Sequence, residues 1–201
     1  MEASGGAGPD QDWLRRVNPP DNEIPVALPL STVLARTDDV AVALLGLLVY
    51  SDGVSFDLVI RLRPGRFGAS DLEEALWGPR GPGAGQGRFL LGVGFADGRR
   101  VTNRELPQPG SELVFHSSGS GGGPHGVRQS WWLSPLPPEG ALQLVLRCPG
   151  LGIPETGAEL DATAIRRAAA DVVPLWPWVP PAQERPEPPP LDVPPESWFA
   201  G

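Results

Sequence analysis

Residues 130–148, SWWLSPLPPEGALQLVLRC, constrain the fold more than any other stretch of the chain. Trp131 and Trp132 are adjacent, so in a strand they point to opposite faces: one ring can be core, and the other must be covered or exposed. Downstream, Leu142, Leu144 and Leu146 alternate with Gln143, Val145 and Arg147, the period of a strand with one buried face. The proline-rich run 135–140 predicts a reversal, so the stretch reads as two strands of a scaffold hairpin.

Other segments follow the same period. Residues 40–50 and 54–63 flank Ser51-Asp52-Gly53 and read as a hairpin, with the Asp-Gly pair supplying positive φ. Val54, Phe56, Leu58, Ile60 and Leu62 form its buried face, 40–50 is apolar on both faces and central, and Gly46 marks a bulge or a close backbone approach. Residues 24–30 carry Pro25 and Pro29, which restricts them to an edge strand. Residues 88–96 and 99–104 form a second hairpin about Asp97-Gly98, with Phe89, Leu91, Val93 and Phe95 on one face and Leu90, Gly92 and Gly94 on the other. Residues 112–117 and 157–160 add strands, and 118–126 (SGSGGGPHG) reads as a loop or hairpin tip.

Two short helices are expected. Ser70-Asp71-Leu72-Glu73 resembles a capping box, and Asp161 suits the N-cap of a helix over 162–173. The fold class is therefore mainly β, an antiparallel β-sandwich with two short helices and a disordered Pro-rich C-terminal tail. Boundaries are expected at a flexible N-terminal leader (1–23), the sandwich domain (24–177) and a Pro-rich acidic tail (178–201). Within the leader, Trp13, Leu14 and Val17 form an apolar patch expected to dock on the domain.

Composition limits function more than it reveals it. With 40% hydrophobic and 20% charged residues, the chain can bury one ordinary core, and its 26 prolines and 26 glycines cluster at the ends and between apolar runs. All sixteen basic residues are arginine, and the net charge is −8, with most of the acidity near the termini. No broad basic face is expected, and hence no nucleic-acid partner. The apolar run 40–50 falls short of the roughly 20 residues of a spanning helix, so no membrane partner is expected. The first residues lack a leader pattern and Cys148 is the only cysteine, so a reducing, cytoplasmic setting is expected.

No complete catalytic or metal set emerges, and no cofactor is expected. His116 and His125 flank the glycine-rich loop and are too few for zinc without distant ligands. That loop lacks the G-K-[ST] ending of a phosphate-binding loop. Ser117 and Cys148 lack an evident base, Cys148 reading as a small buried apolar residue. Asp38, Asp39, Asp52, Asp57 and Asp97 lack dense calcium-loop spacing and read as solvated turns. The candidate partner-binding residues are aromatic: Trp131 and Trp132, Trp176 and Trp178, and Trp198-Phe199 at the far end of the tail. The ring of the 131–132 pair that misses the core is covered by a helix or the Trp176/Trp178 segment, or else forms a platform for a glycan or protein. Trp198-Phe199 either docks loosely on the domain or acts as a short linear motif on an extended spacer.

The segments FADGRRVTN (95–103), WWLSPLPPEGALQLVL (131–146) and GIPETGAELDATAIRRAA (152–169) resemble, in that order, an uncharacterised family of small β-rich proteins from high-GC actinobacteria. The likeness spans roughly residues 24–177 and implies a single domain ending near Pro177. It brings no activity, cofactor or catalytic residue. The expectation is a non-enzymatic protein-interaction module, an adaptor or accessory subunit with a tethered C-terminal aromatic motif and an unknown protein partner. The alternative is a small-ligand or carbohydrate-binding sandwich using an exposed tryptophan.

Overall fold

A computed structural model of the chain describes residues 11–78 and 87–181. The elements run α1 (Gln11–Arg16), β1 (Glu23–Ile24), β2 (Val26–Arg36), β3 (Val40–Val49), β4 (Val54–Leu62), α2 (Ala69–Trp77), β5 (Leu90–Gly94) and β6 (Arg100–Thr102). Then come β7 (Val114–Gly123), β8 (Gly126–Ser134), β9 (Ala141–Cys148), a 3-10 turn (Pro149–Leu151), β10 (Ile153–Asp161), α3 (Ala162–Ala169) and β11 (Val173–Pro174). All strand pairings among them are antiparallel: a five-stranded sheet β2-β3-β4-β8-β7, a four-stranded sheet β10-β9-β5-β6, and a ribbon β1-β11.

The two larger sheets share one apolar core, which makes the fold sandwich-like as expected. Phe56, Leu58, Ile60, Trp131 and Leu133 come from the five-stranded sheet, and Leu91, Val93, Leu144 and Leu146 from the four-stranded sheet. Aromatic rings centre on Trp131: Phe115, on the neighbouring strand of the same sheet, stacks on it at 5.1 Å between centroids, and Phe89, just before β5, reaches it from the other layer at 6.5 Å. Such pairs add about 0.5–1.5 kcal/mol each beyond burial. Leu72, Ala75 and Leu76 of α2 and Ala162, Ile165 and Ala168 of α3 complete the core.

Several expectations change in physical terms. β8 and β9 lie in different sheets, so residues 130–148 carry the crossover between layers and not a hairpin. The glycine-rich run 118–123 is strand, because pairing with β8 supplies its backbone hydrogen bonds, and the reversal is confined to Pro124-His125. Three α-helices are present among the described residues instead of two, since residues 11–16 form a turn of helix with Val17 N–H on the Trp13 carbonyl at 2.9 Å. Residues 11–23, expected within a flexible leader, are therefore joined to the domain. α2 is capped two residues earlier than expected, at Gly68: the Asp71 carboxylate accepts from Gly68 N–H at 2.7 Å. α3 keeps the expected cap, Asp161 accepting from Thr163 N–H at 2.8 Å, but ends at Ala169, and the chain then returns to pair with β1.

The two glycines expected to shape the first hairpin act differently. Gly46 has φ +66 and sits at the register shift between β3 and β4, the expected bulge. Gly53 does not adopt positive φ, unlike Gly98 at φ +87. Its smallness serves packing: a Cβ there would overlap the Trp132 indole and lie 2.6 Å from the Leu133 carbonyl oxygen. Gly53→Ala is expected to lower stability by about 1–3 kcal/mol through overpacking. Gly119→Ala, whose added carbon would meet nothing closer than Ser130 Cβ at 4.0 Å, should stay within about 0.5 kcal/mol of the parent chain. Thermal unfolding of both variants checks the contrast.

Candidate interaction surface

The described residues place the candidate tryptophans in three environments. Trp131 is 3% exposed and lies between the sheets; among the described residues its indole nitrogen has no hydrogen-bond partner. Trp132 is fully buried on the opposite face of β8. Its cover is neither α3 nor the Trp176/Trp178 segment but the strap 11–17: Trp132 Nε1 donates to the Arg16 carbonyl at 2.8 Å, and Tyr50 meets the ring edge-on at 5.5 Å. A glycan or protein platform on either ring is therefore corrected to two internal supports.

The strap is fixed at further points. His116 Nε2 lies 2.7 Å from the Val17 carbonyl, a contact that needs the proton on that nitrogen, and Arg16 donates to the Ser111 and Glu112 carbonyls at 2.7 and 3.1 Å. His116 is thus committed to holding the N-terminal segment. His125 is exposed at the hairpin tip, about seven residues up the strand or roughly 24 Å from His116, so pairing the strands separates the two histidines.

The aspartates scatter likewise. Asp57 binds Arg128 and Ser130, Asp39 pairs with Arg66 at 3.2 Å, and Asp97 pairs with Arg99 at 2.8 Å. The backbone N–H of Arg99, followed by its guanidinium, holds the Asp97 carboxyl below the usual range. Asp52 is half-buried; burial pushes its carboxyl up against the opposing pull of the Arg16 and Arg15 guanidiniums. Among the described residues, no group of three His, Cys, Asp or Glu side chains is placed to hold a metal ion. Cys148 is fully buried with its sulfur 3.6 Å from the Gly87 carbonyl, and burial pushes its thiol up, away from the nucleophilic thiolate.

Trp176 and Trp178 lie on a different part of the molecule. β1 and β11 pair Glu23 with Pro174 and Ile24 with Val173. Beyond them, Leu175 N–H donates to the Asn22 carbonyl and the Asn22 amide donates back to the Trp176 carbonyl, both at 2.8 Å. Asn22 is one of three buried polar residues among the described residues, so its amide is committed to fixing this backbone. The side chains it holds are apolar and open to solvent: Ile24, Val173, Leu175 and Val179 are exposed, and Trp176 is 58% exposed while Trp178 is half-buried. Sequence reading singled out the two tryptophans but missed Ile24 and Asn22, which only the long-range β1–β11 pairing brings beside them. Trp198 and Phe199 lie outside the described residues.

Compared with protein-family models, curated proteins and solved structures, the chain matches none. No helix among the described residues is long and apolar enough to cross a membrane.

Trp132→Phe keeps a ring but removes the donor to Arg16. The expected result is a loss of about 2–4 kcal/mol, from the missing donor together with the cavity left by the smaller ring, with faster amide hydrogen exchange concentrated at residues 11–17. For the buried thiol, the native chain at pH 8 should consume almost no disulfide reagent, and unfolding in guanidinium chloride should release one equivalent from the single cysteine.

Proposed function

We propose that the protein is a non-enzymatic interaction module, an adaptor or accessory subunit working in the cytoplasm, that docks a protein partner on the ribbon around Trp176. The observation that carries this reading is a tryptophan 58% exposed on a backbone locked by a buried asparagine. An exposed indole on a fixed base loses little entropy on binding, and tryptophan is enriched among residues that dominate interface energetics. Ile24, Val173, Leu175 and Val179 extend the apolar surface beside it. Of the groups that sequence reading weighed for chemistry, His116 holds the strap, Cys148 is buried, and Asp39, Asp57 and Asp97 are paired with arginines. A protein partner suits the net charge of −8 better than a nucleic acid.

The test is quantitative affinity capture with the full chain, Trp176→Ala, and a Trp198→Ala/Phe199→Ala double variant. Trp176→Ala should weaken capture of the principal partner by about 30-fold, the scale of a 2 kcal/mol hot spot, with an unchanged unfolding temperature. Equal recovery with the parent chain would refute the Trp176 surface, and the double variant shows separately whether the tail contributes.

A further inference from the structure

The outward face of the four-stranded sheet carries a second surface, distinct from the Trp176 ribbon. β5 turns Leu91 and Val93 into the core and Leu90, Gly92 and Gly94 outward. With no side chains at 92 and 94, the sheet drops into a cleft of about 330 Å³ between the outward residues of β6 and β9. The register sets its walls: Gly92 lies between Thr102 and Val145, and Gly94 between Arg100 and Gln143. Arg100, Arg104 and Arg147 line the cleft, facing one acid, Glu155. Among the described residues these three guanidiniums make no ion pair. In a chain of net charge −8, an apolar-floored cleft walled by unpaired arginines calls for an acidic occupant.

We propose that the occupant is the chain's own segment 184–196. It carries Glu184, Glu187, Asp192 and Glu196 against a single Arg185, so its charge complements the arginines. Leu191 and Val193 flank Asp192, the apolar-acidic-apolar order that Leu90, Val145 and the arginines can receive. Length lets Asp192 reach a cleft within roughly 34 Å of Pro181, at about 3.1 Å for each of the 11 residues from one to the other, a span close to the roughly 40 Å diameter of a domain this size. Tethering supplies an effective concentration near millimolar, enough to fill a weak electrostatic site. The arginine cleft is thus a cis-docking site that holds the acidic tail against the sandwich.

Paramagnetic relaxation on the full chain tests this. A nitroxide is attached at Ser197→Cys, just outside the docking segment; Cys148 is buried and escapes labelling. The amides of Gly92, Gly94, Thr102 and Val145 should lose most of their intensity. The loss should shrink several-fold at about 1 M salt, where the screening length is about 3 Å. Arg100→Ser/Arg147→Ser should relieve it, as should neutralising the tail with Glu184→Gln, Glu187→Gln, Asp192→Asn and Glu196→Gln; unchanged shifts for inward residues of both sheets confirm that these variants fold. Broadening no stronger at the cleft than on the five-stranded sheet would overturn the proposal. So would broadening that persists when labelled, unenriched chains are mixed with unlabelled ¹⁵N chains, because the occupant would then be a second copy.

Discussion

A strand with two adjacent tryptophans must find cover for two large rings on opposite faces, and most of this structure can be traced to how that is done. Trp131 faces the four-stranded sheet and becomes the aromatic centre of the sandwich, with Phe115 and Phe89 against it. Trp132 faces outward, where a single pair of packed sheets would leave it wet. The N-terminal strap solves that problem with a main-chain acceptor, the Arg16 carbonyl, aimed at the indole donor. Burying a ring of this size is worth several kcal/mol, about 25 cal/mol for each Å² of apolar surface removed from water. The segment that covers it thereby gains a reason to stay ordered against the roughly 1–2 kcal/mol per residue that fixing its backbone costs.

Other features depend on this arrangement. Gly53 is small because Trp132 passes over the turn between β3 and β4. His116 is paired in register with Trp132 on the neighbouring strand and is drawn into holding the same strap. Asn22, five residues beyond Val17, continues the N-terminal segment to the β1–β11 ribbon and fixes the backbone that presents Trp176. The cover of an internal ring and the display of an external one therefore share one stretch of chain, residues 11–24.

Local patterns made much of the fold legible. Strict alternation in β4, β5 and β9 identified their buried faces, and Gly46 marked its bulge, because these features are set by neighbours in the chain and across one hairpin. What depends on distant partners was hidden. The glycines of β7 have low strand propensity, and only pairing with β8 makes them a strand. The reversal at 135–140 gave no sign that its two strands enter different sheets. The strap was partly visible, since Trp13, Leu14 and Val17 have helical spacing, but nothing local tied that patch to Trp132, 116 residues away from its acceptor. For the candidate surface, Trp176 and Trp178 were readable as aromatics near a proline-rich tail, whereas Ile24 and Asn22 joined them only through the ribbon. The arginine cleft was half visible, in Gly92 and Gly94, with its cationic walls supplied by β6 and β9.

Buried tryptophans that build the domain are thus separate from the exposed Trp176 on the ribbon. Hydrogen exchange of the indole N–H groups, followed by NMR on the intact chain, addresses that separation directly. The Trp132 indole should exchange slowly, in step with the amides of β8, while the Trp176 indole exchanges close to the rate of an unprotected group. Exchange of Trp132 as fast as Trp176 would contradict the strap as its cover.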